Sequence, residues 1–473
     1  VRDYIIECCS CNPGHFGASL GAVELCVALH YIFDTPKDKI VFDVGHQAYA
    51  HKIITGRREA FKQNRKYKGI SGFPKIAESP YDAFGTGHSS TSISSALGLA
   101  VAANMSGRDD KVIAVIGDGA LTGGMAFEAL NNAGSMKTDI LVILNDNQIS
   151  IDENTGALHN HLLKISTSHT YNSVKNRVWN KLGGANKLRN SLQTFVSSTK
   201  NALFHNASLF ESLGFRYFGT IDGNNINQLV ETLGRLKDIK GPKLLHIVTT
   251  KGKGFKPAEE NKVVWHAPGT FDPKTGKRST KSGDIAKYQD VFGETLLQLA
   301  RQNDKIVAIT PAMISGCGMN YIAKEMPERV FDVGIAEQHA VTFTAGLAAG
   351  GMIPICNLYS SFMQRAYDNI IHDIALQSLK AVICLDRAGI VGEDGATHHG
   401  CFDLAIPNLI IAAPLNEMEL KSMLYSATLP SYPTTIIRYP RGTGEGVPWR
   451  DEMWEELPIG KGTLLHEGEK VAV

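Results

Sequence analysis

The sequence predicts an α/β protein with two domains, each a mostly parallel sheet flanked by helices. The main observation is the stretch 111–150, where two apolar runs rich in β-branched residues enclose a helical segment. Strands that are apolar at every position are buried on both faces, as in parallel sheets. The same alternation of strands and helices returns after residue 285. The length supports two or three domains, since 473 residues with 43% hydrophobic content can form sizeable cores.

The two apolar runs of this stretch end in polar residues. The first run, 112–116, stops at Gly117-Asp118-Gly119, and the second, 140–144, stops at Asn145-Asp146-Asn147. A right-handed crossover makes the strands parallel neighbours, so Asp118 and Asn147 lie at the same edge of the sheet. Carboxylate and amide oxygens suit Mg²⁺, and a glycine-rich turn before a helix suits a diphosphate. Either residue alone could be an ordinary turn residue, but their joint placement favours a Mg²⁺-diphosphate site.

The strings GDGALTGGMAFEALNNAG and LNDNQISI carry a specific resemblance. They resemble the thiamine diphosphate motif of transketolase-like enzymes, and in particular that of the 1-deoxy-D-xylulose-5-phosphate synthase family. The resemblance implies Asp118, Asn147 and Ile149 as Mg²⁺ ligands. It also implies Gly119, Ala120 and Asn147 as contacts of thiamine diphosphate.

Composition narrows the class of protein. A net charge of +1 argues against a nucleic-acid-binding surface. No apolar span approaches the roughly 20 residues of a membrane helix, and no signal peptide is visible, so we expect a soluble, cytoplasmic protein without a membrane partner. Eight cysteines are scattered, and the CxxC pair Cys8 and Cys11 lacks a second pair to complete a zinc site. Because the chain starts at Val1 and stops inside a strand-like run, we expect a fragment.

The first predicted domain spans residues 1–270. A glycine-rich turn carries His15 before the helix 23–32, and a strand at 40–44 leads to His46. A polar run at 85–92 opens the helix 93–103, and helix capping would be a sufficient explanation for the Ser and Thr residues at 89–92. The string HFGASLG resembles the segment in which His15 assists proton transfer. The resemblance also implies cofactor contacts at His46, Gly87, His88 and Ser89.

The rest of the first domain has two features. Residues 166–206 are rich in Lys, Asn, Ser and Arg without an acidic residue, which predicts a mobile surface insertion or, alternatively, a lid for an anionic substrate. A helix at 226–236 and a strand at 243–249 follow, and the strand ends in a basic glycine-rich turn. The resemblance implies Lys251 and Phe255 as diphosphate contacts, the latter through its backbone or its ring. It also implies His266 as a second histidine near the reacting centre.

The second predicted domain spans residues 286–450, after a linker at 271–285. Strands are expected at 305–310, 352–358, 381–385, 409–413 and 435–437, with a helix at 360–376. Glu337 opens an apolar helix, where a carboxylate would ordinarily only complement the helix dipole. The string GIAEQHAV resembles the segment whose Glu lies against the pyrimidine of thiamine diphosphate. Residues 451–473 are expected to begin a linker to a C-terminal third domain, which the resemblance implies.

Substrate residues are expected at the ends of these later strands. Arginine forks match phosphate geometry, so several at one sheet edge suggest a site for a phosphate monoester, although any one could be a surface ion-pair partner. The string DRAGIVGEDGATHHG resembles the sugar-phosphate segment of the family. It implies contacts to a phosphorylated aldehyde from Tyr359, Arg365, Arg387, Asp394, His398 and Arg441, with proton-handling roles for Asp394 and His398.

The predicted function is therefore a thiamine diphosphate and Mg²⁺ dependent transferase. It would condense pyruvate with D-glyceraldehyde 3-phosphate, release CO₂ and form 1-deoxy-D-xylulose 5-phosphate, the first step of non-mevalonate isoprenoid synthesis and a source for thiamine and pyridoxal. The resemblance also implies a homodimer. One alternative is ketol transfer of the transketolase type. Another is a non-catalytic module that binds a nucleotide diphosphate, although no GxxxxGK[ST] or GxGxxG string supports it.

Overall fold

The computed structural model describes residues 1–147, 156–158, 162, 208–279, 283–406, 408–461 and 467–468. The predicted insertion at 166–206 and the predicted ligand Ile149 lie outside these residues. None of the helices in the described ranges is long and apolar enough to cross a membrane.

The first sheet has five parallel strands in the order β1-β2-β3-β5-β4. Alternate residues of a strand point to opposite faces, and both faces are covered here. Ile113 and Val115 of the second strand join one apolar core, and Ala114 and Ile116 join the other. The prediction of a parallel sheet buried on both faces is confirmed. The strands are β1 Lys39–Phe42, β2 Val112–Gly117, β3 Leu141–Asp146, β4 Arg216–Asp222 and β5 Lys243–Val248.

The second sheet has six parallel strands in the order β10-β11-β9-β8-β6-β7. Apolar cores again lie on both of its faces. The five strands predicted in this part of the chain are therefore present and parallel. The strands are β6 Ile306–Thr310, β7 Val330–Asp332, β8 Ile353–Tyr359, β9 Val382–Asp386, β10 Ile410–Ala412 and β11 Thr435–Arg438.

Helices lie between the strands of both sheets. Those preceding β6 are Arg2–Cys11, Phe16–Gly21, Val23–Ile32, Tyr49–Lys52, Ser92–Met105, Asp118–Leu121, Gly124–Met136, Ser208–Ser212, Ile226–Lys237, Lys256–Glu260 and Tyr288–Gln302. Those following β6 are Asn320–Glu325, Glu337–Ala349, Ser360–Met363, Tyr367–Asn369 and Glu417–Thr428. Short 3₁₀ turns lie at Ala60–Gln63, Pro327–Arg329, Gln364–Ala366 and Gly395–Thr397, and π-helical turns at Ile53–Arg57 and Ile370–Ala375.

Three elements differ from the sequence-based expectation. Strand β4 was not predicted because its exposed and buried residues alternate at the border of the sheet, so it lacks a continuous apolar run. Strand β7 was not predicted because it has only three residues, all half-buried. The helix predicted at 360–376 is helical throughout but broken into α, 3₁₀, α and π turns.

Segments that follow strands of the first sheet contact segments that follow strands of the second sheet. We call the residues that follow β1, β2, β3 and β5 the first carboxyl edge, and those that follow β7, β8, β9 and β11 the second carboxyl edge. Arg65 pairs with Asp394 between the two parts, with 2.7 Å between Nη2 and Oδ1. Arg365 donates to both Oγ and the carbonyl oxygen of Ser89. The site described next lies between these edges.

Candidate active site

The first carboxyl edge brings together four of the predicted residues. Register pairs Gly117 with Asn145, so Asp118 and Asn147 leave neighbouring parallel strands at the same level. His46 follows β1 and Lys251 follows β5 on either side of them. Because parallel strands end at one edge, the sheet topology alone gathers these residues at a single place.

Asp118 and Asn147 offer the oxygen chemistry expected of a magnesium site. Both residues are buried, and Asp118 is the first residue of the helix Asp118–Leu121. A carboxylate at that position is favoured by the helix dipole, and its oxygens suit a hard divalent cation. Gly119 and Ala120, the predicted diphosphate contacts, are buried in the same turn.

Three histidines form a triangle beside this edge. The ring centroids of His15 and His266 are 5.7 Å apart, and each lies 6.2 Å from that of His46. The Nδ1 atom of each ring is buried without a hydrogen-bond partner in the described structure. Enclosed ring nitrogens without partners are costly, so this arrangement calls for a bound polar group.

Burial and nearby cations keep these histidines neutral. Burial lowers the pKa of His15 to about 4 and that of His46 to about 3, with Lys251 adding to both effects. The pKa of His266 is also lowered well below its usual value by burial and then by Lys251. Neutral imidazoles can accept or relay a proton at physiological pH.

Backbone hydrogen bonds bring these histidines together. The amides of Phe16 and Gly17 donate to the carbonyl oxygens of His266 and Trp265, each at 3.0 Å. A Cβ on Gly17 would lie 2.8 Å from the Trp265 oxygen, so only glycine allows this approach. The glycine in the HFGASLG string therefore has a packing reason, which the sequence alone did not show.

Phe255 does not present its ring to this site. The ring packs against Phe16, Trp265 and Phe271 with centroid distances of 5.0–5.6 Å, and only 8% of the residue is exposed. Because the ring is used in this core, the packing favours the backbone of Phe255 over its ring for the predicted diphosphate contact. A contact through the Phe255 backbone stays a prediction.

Helix capping does not explain the serines and threonine at 89–92. The residue before the helix Ser92–Met105 is Thr91, and its side chain makes no capping hydrogen bond. The carboxylate of Asp43 accepts instead, from the amides of Ser90 and Ser92 at 2.7 and 2.9 Å. Asp43 comes from the end of β1, far away in sequence, so no local pattern could have identified it.

Glu337 lies at the start of its helix on the second carboxyl edge. It is the first residue of Glu337–Ala349 and is 6% exposed. Burial raises the pKa of its carboxyl group, and the Arg365 guanidinium, 3.8 Å away, opposes this only in part. Arg365, predicted as a substrate contact, thus lies between Glu337 and Ser89.

The remaining predicted residues form a second group. The Arg387 guanidinium lies 3.9 Å from the Tyr359 ring centroid. Asp394 is paired with Arg65, and His398 stacks on Phe73 at 5.5 Å. Arg441 is more exposed and lies 3.4 Å from Glu393.

Loops from both sheets border a cavity next to this group. Its volume is 860 Å³, and it lies between residues 65–91 and residues 392–397. The Nε2 atom of His88 lies 2.7 Å from the carbonyl oxygen of Thr397, and a Cβ on Gly87 would lie 2.8 Å from the Thr397 side chain. Predicted residues of the two parts therefore meet directly: Gly87 and His88 from the first, and the 394–398 turn from the second.

Comparisons with known proteins identify the family of this chain. Residues 1–249 match the family model described as 1-deoxy-D-xylulose-5-phosphate synthase, and residues 285–445 match that of the transketolase pyrimidine-binding domain. The 1-deoxy-D-xylulose-5-phosphate synthase of Cytophaga hutchinsonii is 55% identical over 100% of this chain and 76% of its own length. That of Phocaeicola vulgatus is 56% identical with the same coverage. The chain belongs to the 1-deoxy-D-xylulose-5-phosphate synthase family.

A solved structure shows a weaker likeness. The transketolase from Campylobacter jejuni is 18% identical, and the match covers 94% of this chain and 77% of that one with a TM-score of 0.41. The family assignment of this chain rests on the sequence relatives and not on this structural match.

Besides Asp43, two further residues of this family member were not predicted from the sequence. Arg65 belongs to a basic run that looks like a solvated surface, yet it binds the carboxylate of Asp394 and the carbonyl oxygen of Pro13. Phe73 lies between His15 and His398, with ring centroids 5.2 and 5.5 Å away. Gly72 and Pro74 flank Phe73, a pattern typical of a turn. The only further feature that could have pointed to a role for Phe73 is an aromatic side chain inside that turn.

The lowered histidine pKa values predict a loss of stability in acid. The unfolded chain takes up these protons below its ordinary pKa of about 6.5, whereas folded His46 does so only near pH 3. Above pH 6.5 the ring is neutral in both states, so the free energy of unfolding is not lowered. As the pH falls from about 6.5 towards 3, the unfolded state binds the proton and the free energy of unfolding declines. We expect His46→Gln to reduce the loss in unfolding free energy between pH 7.5 and pH 5 by up to about 2 kcal/mol, measured by urea denaturation.

The control for this prediction is His372→Gln. His372 is exposed, and Asp373 raises the pKa of its ring. The His372→Gln variant should therefore not reduce the loss of unfolding free energy between pH 7.5 and pH 5. An unchanged pH dependence in His46→Gln would contradict the neutral assignment of His46.

Proposed function

We propose that the residues described above carry out the reaction of this family in the present chain. That reaction is the thiamine diphosphate and Mg²⁺ dependent condensation of pyruvate with D-glyceraldehyde 3-phosphate, with release of CO₂ and formation of 1-deoxy-D-xylulose 5-phosphate. The observation that supports it most is the pairing of two opposed edges. One carries hard-oxygen and cationic groups, and the other carries the buried acid Glu337.

The residues present fit thiamine diphosphate and its metal. Asp118 and Asn147 supply oxygen ligands for Mg²⁺, and the turn through Gly119 and Ala120 allows a diphosphate to approach the backbone. Three buried Nδ1 atoms that have no hydrogen-bond partner among the described residues line the same region. Lys251, His46 and the Gly87 to Ser89 turn would complete the contacts to the cofactor. Thiamine diphosphate supplies the carbon centre that carries the two-carbon unit of pyruvate after CO₂ is lost.

Glu337 holds a proton at its carboxyl group in this proposal. Burial raises its pKa, and a protonated carboxyl can donate a hydrogen bond to a ring nitrogen of a bound pyrimidine. Arg365 lies close enough to orient the carboxyl without a tight ion pair, because the separation is 3.8 Å. The role of Arg365 is then to hold Glu337 in place as well as to contact substrate.

The histidines would move protons around the two reacting carbonyl groups. His15 and His266 are neutral, so each can accept a proton from a hydroxyl or return one. His398 is neutral for the same reason, since burial lowers its pKa to about 4, and Asp394 only partly opposes this. Because they lie between the two edges, they would be close to a ligand that bridges the sheets.

The arginines of the second carboxyl edge would bind the phosphate of the aldehyde. Arg387 has a buried Nε without a partner in the described structure, and the Tyr359 ring supports its guanidinium. Arg441 is more exposed and is held only loosely by Glu393 at 3.4 Å. A guanidinium that is positioned but not tightly paired is suited to capture a phosphate.

Two further proposals concern the state of the protein. We propose a homodimer, as expected for this family, and light scattering of the purified chain would test it. We also propose a cytoplasmic location. The free cysteines of the described residues are consistent with a reducing compartment, and cell fractionation would test this.

The function is tested by single-turnover CO₂ release from pyruvate with thiamine diphosphate and Mg²⁺. We expect release to rise when glyceraldehyde 3-phosphate is added, and Glu337→Ala to lower kcat by orders of magnitude with the fold intact by circular dichroism. Glu328→Gln, an exposed acid with no structural role in the site, is the control. Near wild-type turnover in Glu337→Ala would contradict the assignment, and turnover with ketose phosphates but not pyruvate would indicate transketolase chemistry.

Arg441→Ala tests the phosphate site. A charge-assisted hydrogen bond contributes about 1.5–3 kcal/mol, so we expect KM for glyceraldehyde 3-phosphate to rise roughly 10- to 100-fold. KM for unphosphorylated glyceraldehyde should not change. Arg301→Ala removes the same charge from an exposed pair with Glu325 and should alter neither value. Equal effects on both aldehydes would show that Arg441 does not bind the phosphate.

A further inference from the structure

Asp43 connects the first sheet to the turn at 87–90. It follows β1 directly, is 2% exposed, and its amide donates to the Val115 carbonyl oxygen at 2.7 Å. Its position is thus fixed by the sheet ladder. Each of its carboxylate oxygens accepts one backbone N–H, from Ser90 at 2.7 Å and from Ser92 at 2.9 Å.

Ser90 extends this connection to the metal-binding turn. It is fully buried and has a φ of 67°, a left-handed conformation that is uncommon for a residue other than glycine. Its hydroxyl donates to the carbonyl oxygen of Ala120 at 2.7 Å. The Asp43 carboxylate offsets the strain by binding the Ser90 amide in this conformation.

Ser89 extends the connection to the second sheet. Its hydroxyl accepts from Arg365 Nη1 at 3.2 Å, and its carbonyl oxygen accepts from Nη2. The same Nη1 lies 3.8 Å from Oε2 of Glu337. A continuous set of contacts therefore runs from Asp43 through Ser90 and Ser89 to the first and second carboxyl edges.

We propose that Asp43 is a positioning residue for cofactor binding and for Glu337. Through Ser90 it holds the turn after β2 that carries Asp118, and through Ser89 and Arg365 it sets the place of the Glu337 carboxyl group. Asp43 itself need not contact the cofactor. This inference rests on the proposed function, because it concerns the same site.

The chain contains a matched control at the other end of the same strand. Asp38 is 5% exposed and precedes β1, as Asp43 follows it. Its carboxylate also accepts two backbone N–H groups, from Asp34 at 2.9 Å and from Lys111 at 2.8 Å. Asp38→Asn and Asp43→Asn therefore remove equivalent interactions, but only Asp43 lies at the carboxyl edge.

The experiment compares both variants with the wild-type chain. Urea unfolding measures stability, calorimetry measures the Kd of thiamine diphosphate with Mg²⁺, and CO₂ release at saturating cofactor gives kcat. We expect similar losses of stability in the two variants. Residues that orient the ligand-binding side chains without touching the ligand typically affect affinity or activity by about 10- to 100-fold. We therefore expect Kd to rise and kcat to fall by such a factor in Asp43→Asn, and neither to change in Asp38→Asn.

A second variant covers the case in which Asp43→Asn does not fold. Ser90→Ala removes the hydroxyl bond to Ala120 and a longer contact with the Ser89 hydroxyl at 3.4 Å, and it should raise Kd with a smaller effect on stability. Normal Kd and kcat in the folded Asp43→Asn chain, or normal Kd in Ser90→Ala, would overturn the inference while leaving the proposed function intact. A wild-type chain that binds no thiamine diphosphate would instead overturn the proposed function, and this inference with it.

Discussion

The site depends on a reciprocal pair of arginine contacts between the two sheets. Arg65 reaches from the first part of the chain to Asp394 in the second, and Arg365 reaches back from the second to Ser89 in the first. Both guanidinium groups are largely buried, where an ion pair or hydrogen bond lost to substitution leaves an uncompensated charge. The two carboxyl edges are thereby held at one separation, and every predicted catalytic group among the described residues lies on or beside one of them.

The electrostatics of this space are set by burial and by positive charge. Lys251 and Arg65 lie near the histidines, and with desolvation they keep the rings neutral. Asp394 behaves oppositely, since His15 and Arg65 outweigh burial and lower the pKa of its carboxyl group. The first carboxyl edge thus offers cations and neutral donors to an anionic ligand, while Glu337 is the acid buried opposite.

The sequence was sufficient for the architecture, and the structure brings most of the predicted site residues together, while their roles stay predictions. Continuous apolar runs identified β2, β3 and the central strands of the second sheet, because strands buried on both faces carry a strong signal. Border strands β4 and β7 are half-exposed and lack that signal. Arg65 and Asp43 were missed for a different reason. Each acts on partners distant in sequence, and its own neighbours look like ordinary loop residues.

Phe255 shows where a positional resemblance stops being informative. The residue lies in the expected basic turn after β5, yet its ring packs in a cluster with Phe16, Trp265 and Phe271. Phe16 and Trp265 of that cluster also take part in the backbone hydrogen bonds between residues 16–17 and 265–266, so the ring packs against the segments that carry His15 and His266. Sequence position placed Phe255 in the right turn, but the direction of its side chain depends on which apolar surface is available to bury it, and only the packed structure contains that information.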